Sequence, residues 1–490
     1  MTIHIPFDNS YARLPAGFHV RIPPSTASAP RLLKLNLALA QSIGLDPASL
    51  QTPEAAEWLA GAGFPEGADP IALAYAGHQF GNFVPQLGDG RAVLLGEVVG
   101  TDGRRRDIQL KGSGPTPFSR GGDGRAALGP VVREYLVSEA MAALGIPTTR
   151  ALAMVVTGDQ VWRDAVLPGA VLARVAASHI RVGTFQYFAA KGDTEAVRRL
   201  ADYAIPRHYP EAAGAPSPAL ALLQAVATRQ AELVARWMLV GFVHGVMNTD
   251  NMAISDETID YGPCAFLDVY DPATVFSSID RGGRYAFGNQ PGIAQWNLTR
   301  LAECLLPLID ADENTAIALA KTVLAGYAET FHAAHLDGLR RKLGLVTAQA
   351  DDRALAQDLL DIMAAGQADF TRTFRRLVAA AEDPAADALV AEGFSDPAAL
   401  AGWARRWHDR LAEEAGDGRG DMMRRANPAF IPRNHQVEAV IKAAVDEGDL
   451  VPFETLAGIL ARPFDNQPEH AAYGEAPAAG GEAYRTFCGT

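Results

Sequence analysis

Between Phe83 and Asp164 the apolar residues fall in short runs, many of them β-branched, each bounded by glycine or charged turns: residues 92–99, 107–110, 153–157 and 160–163. Runs of that length and punctuation predict strands. One segment breaks the pattern. Over residues 131–144, Val131, Val132, Tyr135, Leu136 and Met141 recur at helical spacing, which predicts an amphipathic helix set among the strands. A further strand is expected over 169–175. Beyond it the period changes to helical: residues 220–243 read as one long buried helix, and helices resume from about 293 and continue to about 460. The first 70 residues are rich in proline and alanine, with a short helical stretch predicted at 32–43. The tail from Arg462 is rich in proline, glycine and alanine and is expected to be loose. No internal repeat is present.

Composition narrows the classes. The chain has 490 residues, 48% of them hydrophobic and 20% charged, as in a folded globular protein of several units. The formal net charge is −14, and no strong basic run is present, which argues against a nucleic-acid partner. Three scattered cysteines, Cys264, Cys304 and Cys488, make neither a disulfide scaffold nor a zinc site and fit a reducing compartment. No secretory or transit pattern opens the sequence, and no apolar run reaches the ~18 residues of a membrane span. A cytoplasmic protein with no membrane partner is expected.

The segment His244-Gly-Val-Met-Asn-Thr-Asp250-Asn251, followed by Asp260-Tyr-Gly262, carries the most chemistry. A kinase catalytic loop reads H-R-D-x-x-x-x-N and is followed by D-F-G. With His244 on the motif's histidine, Asn251 falls on its metal-binding asparagine and Asp260 on its metal-binding aspartate. Both offer hard oxygen ligands suited to Mg²⁺ or Mn²⁺. The kinase's catalytic aspartate is replaced by Val246, which accepts no proton. Asp250 is the nearest carboxylate. It is open to two readings, a base in a shifted position or a residue that orders the loop.

Upstream, Gly88-Asp-Gly90-Arg91 forms a glycine turn before a strand, where backbone N–H groups approach a phosphate unhindered. The next predicted strand ends in Lys111. Helix residues Glu134 and Glu139 both qualify to orient that lysine, and Glu134 is preferred. Arg120-Gly-Gly-Asp123-Gly124-Arg125 reads as a flexible surface loop or as a cover over the nucleotide. Arg174 and Arg181 suit phosphate, with structural salt bridges as the alternative reading.

Together these residues resemble the selenoprotein O family. The likeness runs from about residue 74 to 306, with Asn427-Pro-Ala-Phe-Ile-Pro-Arg-Asn434 as a further stretch. Its most specific pieces are Gln109-Leu-Lys-Gly-Ser-Gly-Pro-Thr-Pro-Phe-Ser-Arg120, the His244 to Asn251 segment and Asp260-Tyr-Gly-Pro263. The resemblance implies an α+β, protein-kinase-like two-lobed fold with mainly helical N- and C-terminal extensions. The expected parts are an extension over 1–70, a small lobe over 71–168, a large lobe over 169–345, a helical region over 346–465 and a tail over 466–490. It implies a protein adenylyltransferase that binds ATP in a flipped orientation and moves AMP to protein hydroxyls, releasing pyrophosphate. Nucleotide contacts are implied at Gly88, Gly90, Arg91, Lys111, Asp123, Gly124, Arg174, Arg181 and Asp260, metal ligation at Asn251 and Asp260, and proton acceptance at Asp250. Cys488 fits the family's selenocysteine or cysteine near the C-terminus. Some bacterial relatives pair that cysteine with one shortly after the D-x-G segment, but residues 273–278 hold none here. Uridylyl transfer, ordinary phosphotransfer and a nucleotide-binding pseudokinase scaffold are the alternatives.

Overall fold

Alternation along one strand sets the architecture. In Arg105–Lys111, Ile108 and Leu110 turn to an apolar layer, while Asp107, Gln109 and Lys111 turn to the opposite face. The computed structural model describes residues 5–23, 25–477 and 484–486. Its strands are β1 (His19–Arg21), β2 (Arg31–Leu35), β3 (Ile71–Leu73), β4 (Gly77–Gln79), β5 (Asn82–Val84), β6 (Ala92–Val99), β7 (Arg105–Lys111), β8 (Ala126–Ala127), β9 (Arg150–Trp162), β10 (Val166–Ala176), β11 (Phe242–Val243) and β12 (Ala265–Phe266). Eight of them form one sheet in the order β1-β3-β6-β7-β10-β9-β2, with β8 against β10, and the pairs are antiparallel.

Both faces of the sheet are covered. Helices Leu37–Ser42 and Pro53–Leu59 pack Leu39, Trp58 and Leu59 on the layer that holds Leu95, Ile108, Leu110 and Val171. On the other face, helix Leu128–Ala143 packs against β9 and β10. It is covered in turn by helices Asn434–Lys442 and Val451–Leu460, through Val437, Phe453 and Leu456. The largest core lies in the helical part. It is built on the 23-residue helix Pro218–Val240, with helices Gln290–Ile309 and Glu313–Leu343 beside it.

Several sequence expectations need revision. The stretch expected to be helical at 32–43 begins as strand β2, which pairs with β9. Helix starts only at Leu37, where the Asn36 side chain accepts the Leu39 N–H. The leader therefore contributes strands β1 and β2 to the sheet. The two strands expected at 153–157 and 160–163 are one, β9, which runs through Gly158 at φ +81°, with a register shift opposite between Pro168 and Ala170. The boundary expected at residue 168 falls inside β10, a strand paired to both β7 and β9. The long helix stops at Val240, because Gly241 adopts φ +71° and caps it, and the last two residues of the expected helix form β11. In the tail, 468–474 makes 3₁₀ turns, and Thr486 is buried and bridged to Ser277. Cys488 lies outside the described residues.

Candidate active site

The loop that holds the His244–Asn251 segment and Asp260 is pinned at its two ends. β11 pairs with β12, so residues 244–264 form a loop closed at its base. His244 sits in the floor. Its backbone N–H donates to Gln290, its Nε2 lies 2.9 Å from the Ile259 carbonyl, and burial keeps the imidazole neutral by lowering its pKa. Gly245, at φ +84°, crosses so close to Pro263 that a Cβ would stand 2.5 Å from its carbonyl oxygen. The loop thus carries Asn251 and Asp260 to the same cleft.

That cleft, of about 430 Å³, is lined by Gly88, Gly90, Arg91, Lys111, Asp123, Gly124, Arg174, Arg181, Asp250, Asn251 and Asp260. Glu134 stands behind Lys111 rather than in the wall. Three cations converge on Asp260: Lys111 Nζ at 2.8 Å and Arg174 Nη1 at 2.8 Å on Oδ1, and Arg181 Nη1 at 2.6 Å on Oδ2. Burial alone would raise the Asp260 carboxyl, but Lys111, Arg181 and Arg174 hold it well below the usual aspartate range. Its backbone adopts φ +65°, an uncommon conformation for a non-glycine residue. Of the two helix glutamates, Glu134 meets Lys111 at 2.6 Å and Arg174 at 3.2 Å, whereas Glu139 pairs with Arg150.

Asp250 follows Thr249 in a 3₁₀ turn and is 7% exposed. Its Oδ2 accepts from Gln79 at 3.3 Å, and its Oδ1 is buried with no hydrogen-bond partner. Burial pushes its pKa up to about 6. Asn251 donates through Nδ2 to the Val246 carbonyl at 3.0 Å, which leaves its Oδ1 as an acceptor. Among the described residues no group of three or more His, Cys, Asp or Glu side chains forms a ready-made metal cage. Asp260 and Asn251 nevertheless offer what a hard divalent cation takes, an ionised carboxylate and a neutral amide oxygen.

The glycines of the cleft are there for space. A Cβ on Gly88 would lie 2.3 Å from the Phe118 ring, and one on Gly124 would lie 2.1 Å from the Gly114 carbonyl oxygen. Asp123 pairs with Arg163 at 2.9 Å on the cleft rim.

The profile of the family described as protein adenylyltransferase SelO matches residues 1–461. The chain belongs to the SelO family. Proteins named "Protein nucleotidyltransferase YdiU" match it over the full length of both chains. They include those of Rhodopseudomonas palustris at 65% identity over 492 residues, Methylorubrum extorquens at 66% over 498, and Bradyrhizobium diazoefficiens at 64% over 492. This SelO-family chain is a nucleotidyltransferase. Among its described residues, no helix is long and apolar enough to cross a membrane.

Sequence reasoning missed several residues of this SelO-family cleft. The β4–β5 hairpin docks on the loop over residues 244–264: His78 N–H donates to Thr249 Oγ1 at 2.7 Å, and Phe80 N–H donates to Asn248 Oδ1 at 3.0 Å. Its two-residue turn, Phe80 and Gly81, takes positive φ at both positions. The usual Asn-Gly or Asp-Gly signal is absent, so the hairpin was not legible. Tyr75 was missed too; its ring lies 4.9 Å from the Arg181 guanidinium. So was Asp89, inside the glycine turn.

Proposed function

We propose that this nucleotidyltransferase moves AMP from ATP to hydroxyl side chains of proteins and releases pyrophosphate. The observation that carries the reading is the combination of an apolar Val246 at the kinase base position with an Asp250 carboxylate that keeps an oxygen unpartnered in the same cleft as Lys111, Arg174 and Arg181. The family's description as a protein adenylyltransferase supports it.

In this mechanism the substrate hydroxyl gives its proton to the Asp250 carboxylate, and its oxygen attacks the α-phosphorus. The bond between that phosphorus and the oxygen leading to the β-phosphate breaks, and pyrophosphate leaves. Lys111, Arg174 and Arg181 offset the negative charge on the phosphates, and Glu134 aims Lys111. Gly88, Gly90 and Arg91 bring backbone and guanidinium against the nucleotide, with Asp123 and Gly124 closing the opposite rim. Asn251 and Asp260 would hold Mg²⁺ or Mn²⁺, which supplies Lewis-acid stabilisation of the phosphates. The antiparallel sheet, its lysine–glutamate pair and the asparagine–aspartate loop support a protein-kinase-like fold around this site. The free, buried thiols of Cys264 and Cys304 are in keeping with work in the reducing cytoplasm.

The test incubates purified protein and a mixed protein substrate with Mg²⁺ or Mn²⁺, in parallel with α-³²P-ATP, γ-³²P-ATP and α-³²P-UTP. Label from α-³²P-ATP alone, lost in Asp250→Asn, is the expected result. Label from the γ-position would establish a kinase, and label from UTP alone a uridylyltransferase.

A further inference from the structure

The face of β7 that carries Lys111 also carries Gln109, which does not line the cleft. Gln109 is fully buried and lies directly opposite Arg174 in the β7–β10 register. Its two amide ends are used in opposite senses. Oε1 accepts from Arg174 Nε at 2.8 Å, while Nε2 donates to Asp89 Oδ2 at 3.1 Å. The neighbours fix that orientation, since a flipped amide would set its oxygen against a carboxylate and its N–H₂ against a guanidinium.

Asp89 is the middle residue of the Gly88–Gly90 turn. The same Oδ2 accepts the Leu73 N–H at 3.1 Å, and the Asp89 carbonyl accepts the Thr116 hydroxyl at 2.6 Å. Asp89, Gln109 and Arg174 are each no more than 2% exposed, so bulk water does not compete for these bonds. Arg174 then reaches Asp260 and Glu134 through Nη1. A continuous chain of hydrogen bonds therefore runs from the glycine turn to the carboxylate at the centre of the cleft.

We infer that Gln109 is a positioning residue that fixes the direction of the Arg174 guanidinium and, through Asp89, locks the glycine turn to it. A guanidinium held at Nε keeps its plane when phosphate replaces Asp260 as its partner, so less order has to be gained on binding. No other uncharged side chain of this length has one donor and one acceptor on a planar end. The inference rests on the reading of Arg174 as a phosphate contact.

The test compares Gln109→Leu, Gln109→Glu, Asp89→Asn and the double variant Asp89→Asn/Gln109→Glu. ATP affinity is measured by calorimetry without turnover, kcat and KM by label transfer, and folding by thermal melting. Gln109→Leu should weaken ATP binding about 10- to 100-fold, the scale of a lost hydrogen bond to a charged group. Gln109→Glu sets two carboxylates face to face. Its ATP affinity should be poor at pH 8 and recover as the pH falls and the pair shares a proton. The charged groups acting on Asp89 in that pair include Arg181, Arg174 and Asp260. In the double variant the new amide at position 89 donates to the new carboxylate at position 109, which still accepts from Arg174, while the Leu73 N–H loses its acceptor, so affinity at pH 8 should return part of the way toward wild type. A structural role alone would lower the melting temperature without this pH dependence or rescue. Wild-type ATP affinity in Gln109→Leu, or a folded double variant as weak as Gln109→Glu, would overturn the inference. Label from γ-³²P-ATP would end the adenylyl-transfer reading and leave this test standing, because affinity is read without turnover.

Discussion

Arg181 Nη1 lies 2.6 Å from Asp260 Oδ2 and donates as well to the main-chain carbonyl of Asp250, so one guanidinium spans the proposed metal ligand and the proposed base. Asp260 is a counter-ion of Lys111, Arg174 and Arg181, the first two of which also pair with Glu134. Asp260→Asn should abolish transfer, by about 10³-fold or more, since it removes the anionic ligand. It should also bind metal-free ATP more tightly than wild type, because Lys111, Arg174 and Arg181 are released toward phosphate. Calorimetry in the presence of a chelator checks this; unchanged or weaker metal-free binding would refute the counter-ion role.

Gly88→Ala should act on the nucleotide site and little on the fold. The new Cβ would stand 2.3 Å from the Phe118 ring at a backbone φ of +79°, so either the turn or the ring must move. The left-handed conformation adds about 1–2 kcal/mol of strain for a residue with a Cβ. The expected result is a rise in the KM for ATP of about 10-fold, the equivalent of 1.4 kcal/mol, in a protein that still melts cooperatively.

A pH-dependent stability effect is expected from Glu257, away from the cleft wall. Burial pushes its carboxyl up to about 8, while the Ala177 N–H at 2.8 Å pulls the other way. For an acid whose folded pKa is raised, the stabilisation is fully present below the unfolded value near 4.5 and is lost as the pH rises through about 8. Glu257→Gln keeps an acceptor for Ala177 and cannot ionise. Its melting temperature should exceed that of wild type by about 2–4 °C at pH 9, on the scale of one kcal/mol. The advantage should vanish at pH 5. Parallel melting curves across that range would contradict the assignment.

Arg433 should matter for folding although it lies far along the chain from the loop over residues 244–264. It is 1% exposed and bridges Asp268 at 2.6 Å and Asp369 at 2.7 Å, joining the segment after β12 to the C-terminal helices. Asn434 beside it exchanges hydrogen bonds with both the N–H and the carbonyl of Phe266. Arg433→Ala leaves two partly buried carboxylates without their cation and should cost about 3–5 kcal/mol in chemical denaturation. A loss below about 1 kcal/mol would show that the bridge acts like a surface pair.

The hydrophobic period was enough to mark β6, β7, β10, the helix behind Lys111 and the helical second half, because each buries one face or a continuous stripe against a neighbour. The spacing from His244 to Asn251 and Asp260 was legible for a local reason, since one loop closed by β11 and β12 carries all three. Other features depended on residues distant in sequence. The leader's strands β1 and β2 exist through pairing with β3 and β9, and Arg31–Leu35 alone carries no signal strong enough to beat a helix. The choice of Glu134 over Glu139 turned on which helix face meets β7, and the motif at 427–434 acquired a role only when Arg433 and Asn434 reached Asp268 and Phe266. The sequence by itself determined the chemistry available to the cleft and the elements that carry it, because periodicity and short-range motifs are local. The tertiary structure alone decided that three cations share Asp260, that Asp250 keeps an oxygen free and that Gln109 joins Asp89 to Arg174. Those contacts form between strands and loops that only the closed sheet and its packed helices bring together.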